Sequence, residues 1–127
     1  MKLTRVSGPL LLLALFLNLL PARSQAQPMM RMNPEERAKA LKDSLTLNDD
    51  QFVKVKKILE DQQADMMINF ETNQGDREAI RAGMMKIMQE TDKKIEALLD
   101  AKQKKKYEGM KLRRRAMMQQ GGARRRG

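Results

Sequence analysis

Methionine is the residue type in this sequence with the most distinctive chemistry, because its thioether is a soft, polarizable group. The chain carries 12 methionines but neither histidine nor cysteine. Thioethers can coordinate Cu(I), form adaptable binding surfaces or simply pack between helices. Adjacent pairs occur at Met29-Met30, Met66-Met67, Met84-Met85 and Met117-Met118. Met66, Met84 and Met88 fall on predicted apolar faces, and adjacent residues point in two directions from one helix. This placement favours packing or an adaptable surface over a metal site.

The groups that most enzymes use for catalysis are missing from the sequence. Without histidine and cysteine, the chain cannot form a Ser/His/Asp or Cys/His nucleophilic site, or a zinc site of the usual nitrogen and sulfur type. No Gly-rich phosphate loop is present, and the acidic residues are scattered over capping and surface positions. We therefore expect a protein that is not an enzyme and that holds no cofactor.

Two segments 52 residues apart share a helix-start pattern. In Leu47-Asn48-Asp49-Asp50-Gln51 and in Leu99-Asp100-Ala101-Lys102-Gln103, a leucine precedes an N-cap residue, and a glutamine follows the cap three positions later. The cap side chain can accept from a backbone N–H of the first turn, and the glutamine can reach back to the cap. These segments are predicted to position two helices rather than to contact a partner.

The first 26 residues have the pattern of a secretory signal peptide. Lys2 and Arg5 give a positive start, residues 10–20 are almost entirely apolar, and Ser24 and Ala26 are the small residues of a cleavage site. The apolar run of about 11 residues is too short to span a bilayer. We expect cleavage after Ala26, a periplasmic location and no stable membrane insertion. The absence of cysteine excludes disulfides.

Positive charge is the second feature that needs an explanation. The leader holds three of the 26 basic residues and none of the 16 acids, so the mature chain keeps a net charge of +7. The C-terminal run RRRAMMQQGGARRRG resembles a nucleic-acid-binding tail. Secretion separates it from nucleic acid, however, and no aromatic residue interleaves with the arginines for base stacking. We expect no nucleic-acid partner. Membrane headgroups, lipopolysaccharide, acidic protein surfaces or a merely solvated basic face remain open.

Periodic apolar residues and capping signals predict an all-α fold with a single helical domain over residues 34–119. The predicted helices span residues 34–43, 49–73, 77–98 and 100–119. The second and third are joined by a tight turn at Gly75 and form a long α-hairpin. Gly83 lies inside the third helix and marks either a close helix crossing or a bend.

The segments that flank this domain are predicted to lack regular structure. Residues 27–33 form a flexible lead-in, and residues 120–127 form a disordered basic tail. The mature chain has only three aromatic residues and no disulfide. A chain of about 100 residues with so thin a core is marginal as a monomer. We therefore expect a homodimer formed by antiparallel helix packing.

Together these features resemble the Spy/CpxP family of periplasmic stress proteins, whose hallmark is a repeated Leu-Thr-x-x-Gln motif at helix starts. Asn48 and Asp100 stand where the family has threonine, and both are still good N-cap residues. The run Gln103-Lys104-Lys105-Lys106-Tyr107-Glu108 also resembles the family sequence, and the resemblance covers about residues 34–115. It implies an elongated, cradle-shaped dimer that acts as an ATP-independent chaperone under envelope stress, binding unfolded or partly folded proteins and suppressing their aggregation.

The resemblance also implies a basic, partly apolar concave face that holds client proteins. Positive charge would attract clients at long range, and apolar groups would then bind them weakly and adaptably. The candidate client contacts are Lys54, Lys57, Met66, Met67, Phe70, Arg81, Met84, Met85 and Met88. Two alternative functions stay open: a regulatory subunit that binds the sensor domain of an envelope-stress histidine kinase, and Cu(I) sensing or buffering through methionine. No metal-binding residues are assigned.

Overall fold

The computed structural model describes residues 32–124, which form four helices and no strand. The helices are α1 (Pro34–Leu45), α2 (Asp49–Thr72), α3 (Arg77–Glu96) and α4 (Ala101–Arg124). The prediction of an all-α fold with four helices is confirmed, and α2 packs against both α1 and α3. No helix within this part of the chain is long and apolar enough to cross a membrane. The predicted signal peptide and the lead-in up to residue 31 lie outside the described residues.

The starts of α1 and α3 are set by local capping. The side chain of Asn33 accepts from the backbone N–H of Glu36 at 2.8 Å, and the Glu36 carboxylate accepts from the N–H of Asn33 at 3.2 Å. Asp76 caps α3 by accepting from the N–H of Ala79 at 2.9 Å. Gly75 precedes this cap with a φ of 87°, a conformation that favours glycine. The sequence signals therefore act through the hydrogen bonds that they predict.

The hydrophobic core occupies one end of the helical unit. Its buried residues are Ala38, Leu45, Leu47, Val55, Leu59, Ile95, Leu99 and Tyr107. Fully burying each valine, leucine or isoleucine side chain contributes roughly 1.5–3 kcal/mol. Burial on α2 ends at Gln62 and resumes on α3 at Thr91. Residues 63–90, here called the distal hairpin, contain no buried residue.

Within the distal hairpin, α2 and α3 approach closely at Gly83. The Asn69 side-chain amide donates to the backbone oxygen of Ile80 at 2.9 Å and accepts from the Asn73 amide at 2.9 Å. A methyl group on Gly83 would overlap the Asn69 amide. Gly83 therefore marks a close helix crossing, which decides between the two alternatives that the sequence left open.

Helix α4 differs from its predicted extent. The sequence predicts that it ends near Gln119 and that the chain from residue 120 is disordered, whereas the helix continues through Arg124. Gly121 and Gly122 each cost a helix about 1 kcal/mol relative to alanine. Neither removes a backbone N–H, as a proline would, so the helix passes through both. Residues 125–127, the remainder of the predicted tail, lie outside the described part of the chain.

Candidate client-binding surface

The two motif segments form matching capping boxes. The Asn48 side chain accepts from the N–H of Gln51 at 2.8 Å, and the Gln51 side-chain oxygen accepts from the N–H of Asn48 at 3.0 Å. Asp100 and Gln103 repeat this geometry at 2.8 Å and 3.1 Å. These are the bonds that the helix-start pattern predicts. The same kind of capping box therefore fixes where α2 and α4 begin.

The two motif glutamines also bind each other, which the sequence did not predict. Gln51 Nε2 lies 2.9 Å from Gln103 Oε1, and Gln103 Nε2 lies 3.2 Å from Gln51 Oε1. Gln51 also donates to the backbone oxygen of Leu98 at 2.8 Å, and Gln103 donates to that of Leu45 at 3.3 Å. Each glutamine thus joins the start of its own helix to the end of the helix that precedes the other motif.

The remaining motif residues support the same structural role. Leu47 and Leu99 are both buried in the hydrophobic core. Gln103 is buried as well, and its side-chain hydrogen bonds satisfy polar atoms that would otherwise be costly to remove from water. Buried side chains such as these are inaccessible to a client protein, so Leu47, Leu99 and Gln103 belong to the scaffold that orients the helices.

Helix α4 is held to α3 by a buried polar cluster. Asp92 accepts from the Tyr107 hydroxyl at 2.7 Å and from Arg114 Nη2 at 2.6 Å. Burial raises the pKa of the Tyr107 phenol, and the hydrogen bond to the Asp92 carboxylate raises it further. Lys111 adds an ion pair to Glu96. Beyond this cluster, every residue from 115 to 124 is exposed.

The two predicted client-contact lysines lie on α2 before the distal hairpin. Lys54 pairs with Asp50 at 3.0 Å, and Lys57 pairs with Asp61, in each case four residues away on the same helix. Exposed pairs of this kind contribute little and leave the charges accessible to solvent. Lys57 is nine residues from Met66, about 13 Å along the helix. The structure therefore does not bring the two lysines together with the predicted apolar contacts.

The other seven predicted contact residues all lie in the distal hairpin. Met67, Phe70 and Met85 are 59%, 58% and 45% exposed. The residues of this set that are half-buried are Met66, Met84 and Met88. Arg81 is exposed and lines a shallow, open groove beside Met85. Adjacent methionines on α2 and α3 thus differ in burial, as expected for neighbours that point in two directions from one helix.

Several exposed apolar side chains were not proposed as contacts from the sequence. They are Val53, Ile68, Leu112, Met117 and Met118, each at least 40% exposed. Apolar spacing alone assigns such residues to a packed face, and it cannot report whether a second element covers that face. The C-terminal part of α4 shows this most clearly, because its apolar side chains are interspersed with arginines and every residue from 115 to 124 is exposed.

A metal centre has no support in the described residues. Residues 32–124 contain no group of three or more acidic, histidine or cysteine side chains arranged to hold an ion. That search does not cover thioethers, and Met29 and Met30 lie outside the described part of the chain. Cu(I) binding through methionine therefore stays a prediction.

The motif residues that resemble Spy/CpxP proteins occupy a well-defined structural position. Both capping boxes are complete, and their glutamines pair across the core. The resemblance rests on these residues together with the charge and methionine content of the chain. Comparison with known proteins finds no matching family model, no matching curated protein and no matching solved structure.

Proposed function

We propose that this protein is an ATP-independent periplasmic chaperone of the Spy/CpxP type, which acts as a homodimer under envelope stress. It binds unfolded or partly folded proteins and suppresses their aggregation. The observation that carries the proposal is the exposure of Phe70 and Met85 on the distal hairpin, where Arg81 lines a groove together with Met85. Large apolar side chains clustered on a protein surface are typical of interaction sites.

The chemistry of this surface suits weak and varied binding. Methionine is flexible and polarizable, so it can adapt to client segments of different shape. Arg77, Glu78 and Arg81 line the same groove as Met85, and its net positive charge attracts acidic segments before apolar contact forms. The distal hairpin has no buried residue, so it can adjust to a client without disturbing the core. None of these steps requires a nucleotide or a covalent intermediate.

Aggregation suppression tests the proposal directly. The processed protein is mixed with a chemically denatured client without ATP, and light scattering is followed. Suppression is expected at a several-fold molar excess of the protein over the client. Phe70→Ser/Met85→Ser should lose most of it, because both exposed anchors of the surface are removed.

A matched control separates this surface from exposed apolar area in general. Val53→Ser/Leu112→Ser also removes two large exposed side chains, outside the distal hairpin, and should keep the suppression. Circular dichroism checks that all variants retain their helices. Absence of suppression by the unmodified protein would rule out the proposed function. Equal losses of suppression in the two variants would rule out the distal hairpin as the client-binding surface.

A further inference from the structure

Two exposed stripes, one on α2 and one on α4, have the same spacing and opposite charge. The acidic-ended stripe consists of Glu60, Ala64, Met67 and Glu71. The basic-ended stripe consists of Arg113, Met117, Gln120 and Arg124. Both follow intervals of four, three and four residues, which place all four side chains on one face of a helix. All eight residues are exposed.

The two stripes have the same length, and their charges are opposite in sign. Each covers 12 residues, a rise of about 16 Å along a helix. Either relative direction places one arginine opposite one glutamate at both ends. An antiparallel arrangement also places Met117 opposite Met67 and the polar Gln120 opposite the small Ala64. The stripes therefore complement each other in side-chain size and in sign.

The charged ends of the stripes form no ion pair within the described part of the chain. Across residues 32–124, no ion pair includes Glu60, Glu71, Arg113 or Arg124. The neighbouring charges Lys57, Lys111 and Arg114 do have internal partners, namely Asp61, Glu96 and Asp92. The charged residues of the stripes thus differ from the neighbouring charges, whose internal ion pairs position the helices. The stripe charges are therefore available to another molecule.

We propose that the basic-ended stripe of one copy docks on the acidic-ended stripe of a second copy. This inference deepens the homodimer contained in the proposed function and rests on it. Since every copy carries both stripes, a twofold-symmetric pair forms the contact twice. The docking would cover Met67 and Met117, while Phe70, Arg81 and Met85 stay available for clients.

Charge reversal tests the docking by sedimentation equilibrium of the processed protein. The α4-reversed variant is Arg113→Glu/Arg124→Glu, and the α2-reversed variant is Glu60→Lys/Glu71→Lys. Each should weaken self-association at least about tenfold, because like charges then meet at both contacts. Lys105→Glu/Lys106→Glu is the control, since it makes the same charge change at exposed positions of α4 outside the stripe. It should leave self-association unchanged.

An equimolar mixture of the two reversed variants gives the sharpest readout. Opposite charges meet at both contacts of the mixed pair, so a heterodimer should form with an affinity near that of the unmodified protein. A mixture that stays monomeric, or a control variant that loses association equally, would overturn the inference. The inference would also be overturned if the unmodified protein were monomeric and bound phosphatidylglycerol vesicles, and if the α4-reversed variant lost this binding. The basic-ended stripe would then be a lipid-binding surface.

The outcomes separate this inference from the proposed function. A dimer that behaves as described but does not suppress aggregation would refute the chaperone and leave the docking intact. A monomer that suppresses aggregation would refute the docking and leave the chaperone surface on the distal hairpin intact.

Discussion

Replacing Gln103 with leucine should strongly destabilise the fold while leaving helix propensity almost unchanged. The Gln103 amide oxygen accepts from the N–H of Asp100 and from the Gln51 side chain, at 3.1 Å and 2.9 Å. Its amide nitrogen donates to the backbone oxygens of Leu45 and Thr46, both at 3.3 Å. Leucine has a similar size but can make none of these bonds, so the change removes polar partners without opening a large cavity.

The expected cost follows from what those partners lose. Loss of the hydrogen bond from the Asp100 N–H costs about 0.5–1.5 kcal/mol, since the Asp100 side chain still caps the helix. Leu45 is almost fully buried, so its backbone oxygen is left without its side-chain donor, which costs about 1–3 kcal/mol. Gln51 keeps its bond to Leu98 and is only partly affected. The free energy of unfolding should therefore fall by about 2–4 kcal/mol.

Urea unfolding followed by circular dichroism measures this change, at one fixed protein concentration because dimerisation would add to the apparent stability. Gln63→Leu is the matched control, since Gln63 is an exposed glutamine on α2, and it should change the unfolding free energy by less than about 0.5 kcal/mol. In a double-mutant cycle, Gln51→Leu and Gln103→Leu should couple by about 1–2 kcal/mol, because they share hydrogen bonds. A loss for Gln103→Leu no larger than the control's, or additive single effects, would refute the reasoning.

Two further substitutions test the hairpin crossing and the buried cluster. Gly83→Ala should lower the unfolding free energy by about 1–3 kcal/mol despite the higher helix propensity of alanine, because the added methyl group overlaps Asn69. With Asn69→Ala also present, the sign should reverse in thermal unfolding; destabilisation in both backgrounds would contradict this explanation. The pKa of Tyr107 is higher in the folded protein than the ordinary value of 10.0. The contribution of Tyr107 to the free energy of unfolding is therefore fully present below pH 10 and is lost as the pH rises above it. Tyr107→Phe should remove that part of the loss when unfolding is measured from pH 8 to 11, and an unchanged pH profile would show that Tyr107 does not carry it.

The helix starts could be predicted from the sequence because they depend on neighbouring residues. At three helix starts, the cap side chain accepts from a backbone N–H only three residues later; the caps are Asn33, Asn48 and Asp76. Such bonds form between groups that the chain itself holds close together. The end of α4 could not be predicted in the same way. No capping signal marks it, and composition alone suggested disorder where the helix continues to Arg124.

The pairing of Gln51 with Gln103 lay beyond what the sequence could predict. The two residues are 52 positions apart, and each had a sufficient local explanation as part of its own capping box. Their contact depends on the packing of α1, α2 and α4 around one core, which no local pattern encodes. Likewise, Gly83 suggested either a crossing or a bend, and only the position of Asn69 on the other helix decides between them.

The separation of buried and exposed residues has a consequence for how the molecule can work. The buried side chains lie in the core, next to the Gln51–Gln103 pair, whereas the proposed client contacts Phe70 and Met85 lie in the distal hairpin, which contributes no buried side chain. Local opening is easiest where few apolar contacts are buried. As a proposed client surface, the distal hairpin can therefore change shape at a smaller energetic cost than the core, which keeps α2 and α3 aligned. A chaperone that must release its clients without ATP needs this combination, because weak and adaptable contacts on a stable scaffold let folding of the client compete with binding.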